Sequence, residues 1–351
     1  MRRARRSMPK NLAGVSLPNA NPFVDRPLPL AAVFSVEGEA LTHAEKTLFS
    51  AAQPFGFILF GRNCKTPAQL KALTEELRGA VGWNCPVLID QEGGRVARLK
   101  APHWPEFPSA RHYGQAIEGN EEKARETLSE DMRGMARMLR ENGLDVNCAP
   151  VMDVLTSVTH TVIGDRAFSN RPDIVVEAAS LVCQAFLSEG VFPVIKHLPG
   201  HGRAAVDSHH QLPVVTETAD QLADSDFLPF REICQKPFAA GLWGMAAHVI
   251  YSKIDPEHPA SVSEIVINKI IRGMIGFDGL LFSDDLDMKA LENYGPIEQR
   301  ARESLQAGCD LALYCWAKLD VMEKMAAQLP PLSAEGWRRW MASLETMQEM
   351  K

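Results

Sequence analysis

Clusters of polar residues follow short apolar runs at five places in this 351-residue chain. Asp90-Gln91-Glu92-Gly93-Gly94-Arg95 ends the run at 86–90, with Arg98 close behind. Gly164-Asp165-Arg166 lies in the loop after the run at 144–154. Lys196-His197-Leu198-Pro199-Gly200-His201-Gly202 ends the run at 192–197 and leads to Asp207-Ser208-His209-His210. His248 stands near the end of another run, and Ser283-Asp284-Asp285-Leu286 ends the one at 279–284. Charged side chains are rarely placed at the ends of apolar runs for packing. Each alone reads more simply as a cap, a turn or an ion pair, whereas five such groups brought to one mouth point to chemistry.

The residue types narrow that chemistry. Carboxylates, basic side chains and histidines are present, with no serine or thiol beside an activating partner. Hydrolysis of a glycosidic bond suits this set. One carboxylate attacks or stabilises the anomeric carbon while a second group protonates the leaving oxygen. Asp284 or Asp285 fits the first role, and only one of them can face the site because successive strand residues point to opposite sides. For the acid there are two candidates. Glu92 would supply the usual second carboxylate. Asp207-x-His209 would supply an imidazole whose pKa is raised and whose tautomer is fixed by the neighbouring carboxylate. On spacing alone, Asp207 as a turn residue and His209 as a surface residue remain the simpler reading.

Such groups need a scaffold that gathers strand ends. Apolar runs of strand length occur at 30–36, 56–60, 86–90, 144–154, 192–197, 242–250, 279–284 and 310–315. They are nearly continuous rather than alternating, as in parallel sheets covered on both faces. Helical patterns separate them, at 66–81, 121–142, 173–190, 221–236, 263–276 and 297–308. In 121–142 the residues Ala124, Leu128, Met132, Met135 and Leu139 share one face, with Asn120 as the expected cap and Gly143 as the stop. Eight βα units predict an α/β fold, a single (β/α)8 TIM-type barrel whose site lies where strands enter their following loops. A doubly wound sheet is the alternative, but no G-x-G-x-x-G follows a first strand. The expected layout is a flexible N-terminal arm over 1–28 and a catalytic barrel with C-terminal helices over 29–351.

The stretches KHLPGHGRAAVDSHHQLP, DQEGGRVARL, GDRAFS and GLLFSDDLDM resemble the signatures of glycoside hydrolase family 3. Within it they are most similar to the bacterial β-N-acetylglucosaminidases that recycle peptidoglycan. The resemblance runs in order over roughly residues 30–320. It implies Asp284 as nucleophile, His209 as acid/base and Asp207 as the partner of His209. It further implies that Asp90, Arg98, Arg166, Lys196 and His197 bind the terminal N-acetylglucosamine, and it turns Glu92 into a loop residue. Asp287 departs from the family pattern, in which a serine is common at that place. The implied reaction is retaining hydrolysis of cytoplasmic N-acetylglucosaminyl-1,6-anhydro-N-acetylmuramic acid, with or without its peptide.

Composition sets the remaining bounds. A net charge of −7 and a pI near 5.8 argue against a nucleic-acid partner. No apolar run approaches the roughly 18–20 residues that span a bilayer. The basic start MRRARRSMPK is followed by Asn, Asp and several prolines where an export signal needs an apolar stretch. Seven scattered cysteines without C-x-x-C spacing read as reduced thiols. A cytoplasmic monomer with a sugar substrate, no cofactor and no metal is therefore expected. The competing readings are a metal-dependent barrel hydrolase using His197, His201, Asp207, His209, His248 and Asp284, a family 3 β-glucosidase or xylosidase, and a non-enzymatic sugar-binding barrel. The last has no need of Asp207, His209 and Asp284.

Overall fold

The computed structural model describes residues 23, 26–204 and 212–351. Eight parallel strands form the centre. They are β1 (Leu30–Phe34), β2 (Pro54–Leu59), β3 (Val87–Ile89), β4 (Val146–Asn147), β5 (Phe192–Leu198), β6 (Trp243–Ala246), β7 (Leu280–Ser283) and β8 (Ala312–Leu313). All of their residues are buried, as expected of strands covered on both faces. Each strand pairs with the next in chain order from β1 to β7, and β8 returns to pair with β1. The ring is completed between β7 and β8 by the parallel bridge of Phe282 and Leu311, so the expected barrel is the observed fold.

Helices on the outside follow from local signals. In α1 (His43–Ala52), Thr42 and Glu45 form a reciprocal capping box. In α2 (Pro67–Val81), Thr66 caps the first turn and Pro67 opens it. A short α3 (Ala110–Glu118) precedes α4 (Ala124–Glu141). The expected apolar face of α4 is buried throughout, but Asn120 is not its cap. Asn120 has φ 52° and turns the chain out of α3, and the last residue before α4 is Lys123, at φ 71°. After α5 (Pro172–Ser188) comes α6 (Ala219–Ala223), then α7 (Leu228–Ile233); the single helix expected at 221–236 is broken at Asp224–Phe227. Residues 266–274 form wide i→i+5 turns, and α8 (Ile297–Ala307) follows β7.

The last two helices, α9 (Leu319–Gln328) and α10 (Ala334–Met350), decide which end of the barrel is open. Phe55, Phe192 and Trp243 stand at the starts of β2, β5 and β6, and Trp340 of α10 packs on all three with ring centroids 5.3–5.6 Å apart. Phe23, which falls in the segment 1–28, is buried between Trp83 and Trp337. Aromatic burial thus seals the end where strands begin. The end where strands finish is left for a site.

Candidate active site

At that open end, β3 delivers Asp90 and the loop beyond it delivers Glu92. Gly93 has φ 94°, and a Cβ there would lie 2.3 Å from the carbonyl of Pro108, so glycine alone permits this tight course. Lys196, near the end of β5, donates to Asp90 at 3.0 Å and to Glu92 at 2.6 Å. Arg166 forms a fork with both Glu92 oxygens at 2.8 and 2.9 Å, and Arg98 reaches Asp90 at 3.1 Å. Burial alone would raise the carboxyl pKa values of Asp90 and Glu92. The cations Lys196 and Arg98 beside Asp90, and Arg166 and Lys196 beside Glu92, override it and hold both below the ordinary range. Burial disfavours the Lys196 charge, yet the two carboxylates keep its pKa raised. Every member of this network is therefore ionised near neutrality, and two carboxylates face three cations.

Next to it, His197 donates through Nδ1 to Asp153 Oδ2 at 2.7 Å. Asp153 also accepts from the backbone N–H of His201 at 2.6 Å and from that of His197 at 3.3 Å. Burial opposes its ionisation, but His197 and these hydrogen bonds bring its pKa down to about 2. An anionic Asp153 makes His197 Nδ1 the protonated nitrogen and orients the ring. Burial, reinforced by His197, lowers His201 to about 4, so it is neutral.

From the opposite side, β7 delivers Asp284 and Asp285. Asp284 accepts the Asp285 N–H at 2.8 Å, and its own N–H donates to Ala246 O at 3.0 Å. The buried thiol of Cys148 experiences the charges of Asp90, Lys196, Glu92 and Asp284 together, which puts Asp284 on the same space as the network. Asp285 turns the other way, toward β8, where Trp316 Nε1 donates to it at 2.9 Å and Cys315 N at 3.2 Å. Burial and the adjacent Asp284 push the Asp285 carboxyl up to about 6. The two aspartates thus face different ways, Asp284 toward the network and Asp285 toward β8.

The structure therefore gathers Asp90, Arg98, Arg166, Lys196, His197 and Asp284 at one mouth. Asp207 and His209 lie outside the described residues. Their flanks are fixed nonetheless. Tyr251 donates to Gly200 O, and Gly202 passes so close to Val154 O that a Cβ would come within 1.9 Å. On the far side Val214–Val215 pairs with Ile250–Tyr251. Glu92 lies in the loop after β3, as expected, and is there a buried partner of two cations, while Asp153 is a residue of this cluster that sequence reasoning did not single out. Its one visible signal is an aspartate inside the apolar run at 144–154.

His248 is occupied by structure: Nε2 faces Asp285 O at 2.9 Å, so it carries the proton, and Nδ1 accepts from Ser261 at 2.6 Å. Among the described residues no three His, Cys, Asp or Glu side chains are grouped as metal ligands. The arrangement offers fixed donors and acceptors for hydroxyl and amide groups, facing a carboxylate placed to meet a developing cation.

Known proteins are similar to this chain in sequence and fold. Residues 29–337 match the N-terminal domain of glycosyl hydrolase family 3. A β-hexosaminidase of Alkalilimnicola ehrlichii is 39% identical over 284 residues, covering 81% of this chain and 80% of that protein. One from Idiomarina loihiensis is 36% identical over 308 residues, covering 88% and 90%. Among solved structures, NagZ from Neisseria gonorrhoeae in complex with N-trifluoroacetyl-D-glucosamine superposes with a TM-score of 0.82 at 31% identity, covering 92% of this chain and 93% of that one. A family 3 β-N-acetylglucosaminidase from Paenibacillus sp. gives 0.77 at 28% identity, covering 92% and 60%.

Proposed function

This chain belongs to glycosyl hydrolase family 3, and we propose that it releases terminal β-linked N-acetylglucosamine by a retaining mechanism on Asp284, His209 and Asp207. The coarse activity, that of a glycosidase acting on β-N-acetylhexosamine, stands on the family and on relatives that share it. The observation that supports the finer reading is a carboxylate, Asp284, facing the ion network of Asp90, Glu92 and Lys196 across the mouth.

In the first step Asp284 bonds to the anomeric carbon as the aglycone oxygen departs with the proton of His209. In the second, neutral His209 takes a proton from water, whose oxygen bonds to the anomeric carbon and frees Asp284. Asp207 holds the imidazole in the required tautomer. Deprotonated imidazole is uncharged, so no second anion crowds Asp284, as a glutamate would. Asp90 accepts from hydroxyls of the terminal sugar, Arg98, Arg166 and Lys196 donate to its oxygens, and His197, its Nδ1 held by Asp153, accepts from a hydroxyl through Nε2. That the Neisseria protein holds an N-acylated glucosamine supports the same class of sugar here.

The substrate proposed is N-acetylglucosaminyl-1,6-anhydro-N-acetylmuramic acid, with or without peptide, cleaved in the cytoplasm without a nucleic-acid or membrane partner. Seven unpaired cysteines suit a reducing compartment. No described helix is long and apolar enough to cross a membrane.

The test is release of nitrophenol from 4-nitrophenyl β-N-acetylglucosaminide by chelator-treated protein. Asp284→Asn is expected to lower kcat by on the order of 10³-fold or more. Near-normal turnover by that variant with no glycosyl–enzyme in the mass spectrum overturns the mechanism. Activity that needs added zinc, or that appears only on a glucoside or xyloside, favours the competing readings.

A further inference from the structure

The mechanism leaves one large side chain at the mouth idle. Trp316, three residues beyond β8, is 59% exposed, more than any other large apolar side chain among the described residues. An indole left in water forgoes the gain of burial, and a chance exposure would be expected to be loose. This one is tied down at its edge and through its neighbours. Its Nε1 donates to Asp285 Oδ2 at 2.9 Å, which anchors one edge of the ring. Cys315 before it is bound through N to Asp285 at 3.2 Å and through O by Arg62 at 2.6 Å. Lys318 after it reaches Asp287 at 3.3 Å. Ala317 has φ 57°, a left-handed backbone that an L side chain enters only at a cost and that tends to mark functional positions.

We propose that Trp316 is the platform on which the aglycone ring stacks, in the subsite immediately beyond the scissile bond, and that its ligand is a pyranoside. The proposal rests on the hexosaminidase reading and adds a second subsite to it. The hydroxyl groups of the terminal sugar are met by Asp90, Arg98, Arg166, Lys196 and His197, which come from β3, β5 and the loop after β4. Its anomeric carbon must sit at Asp284. Displacement in line puts the departing ring on the face of that carbon away from Asp284, toward the rim of the mouth, where the indole stands on the loop after β8, tied to Asp285 beside the nucleophile. A pyranose has an apolar face of C–H groups, and a flat, immobilised aromatic ring covers it at little entropic cost.

Two substrates separate the platform from the chemistry. One is a disaccharide with N-acetylglucosamine β-linked to a second N-acetylhexosamine. The other is β-N-acetylglucosaminyl fluoride, whose leaving group is a single atom. Trp316→Ala is expected to lower kcat/KM for the disaccharide about tenfold, through KM, while the fluoride stays within about twofold of wild type. Trp316→Phe, which keeps an aromatic face, restores most of the loss. Equal losses on both substrates, or no loss on the disaccharide, overturn the platform while leaving the hexosaminidase reading intact. A wild type that hydrolyses neither substrate overturns that reading itself, and the second subsite with it.

Discussion

Asp153 shows how a residue outside the proposed chemistry governs a neighbour, His197, that is proposed to bind sugar. Its carboxylate accepts from His197 Nδ1 and from two backbone N–H groups, and these outweigh burial to hold its pKa near 2. In the unfolded chain it would titrate near 3.9. A depressed folded pKa gives stability that is complete above the unfolded value and fades as pH falls through the folded one. Asp153→Asn is therefore expected to lose about 2–3 kcal/mol in urea unfolding at pH 7, with the gap to wild type narrowing below pH 4. A gap that is absent at pH 7, or equally wide at pH 3, would contradict this account. Glu92 teaches the complementary point. As an acid it would have to carry a proton, but Arg166 and Lys196 keep it ionised, so its part is to hold these two cations in place.

At the scale of elements, the seam between β7 and β8 is the thinnest part of the barrel, and it adjoins Asp284. It has one bridge, between Phe282 and Leu311, and a side chain stands in for a ladder bond: Ser283 Oγ accepts the buried N–H of Leu313 at 3.1 Å. Ser283→Ala strands that donor and is expected to cost about 1–3 kcal/mol by equilibrium unfolding. Faster hydrogen exchange at Leu313 than in β1 and β2 would accompany it, and unchanged stability would show that Leu313 finds another acceptor.

The strands themselves were legible because burial on both faces writes eight unbroken apolar runs, and α4 because Leu128, Met132, Met135 and Leu139 recur at helical spacing. Helix α1 was missed although Thr42 and Glu45 spell its capping box, since its apolar face is short. The break between α6 and α7 was hidden because Asp226 spends its side chain on Arg203, a tertiary contact that no local pattern announces. The same holds for the site. Asp90, Lys196 and Asp284 stand at strand ends and could be read there, whereas the roles of Glu92 and Asp153 depend on partners 74 and 44 residues away.

For the whole molecule, the partition of aromatic and charged residues between the two barrel ends bears on assembly. Trp340, Trp243, Phe55 and Phe192 close the end where strands begin with groups from this chain alone, so that floor needs no second copy to cover it. The large apolar side chains left exposed among the described residues are Val158, Val214, Ile265, Met274 and Trp316, distributed over four separate segments. A stable homodimer buries on the order of 1,000 Å² or more with an apolar centre, which isolated side chains do not provide. Light scattering at micromolar concentration is accordingly expected to give one species of 38.7 kDa, with the net charge of −7 adding mutual repulsion at low salt. A doubled mass that persists on dilution would overturn this expectation.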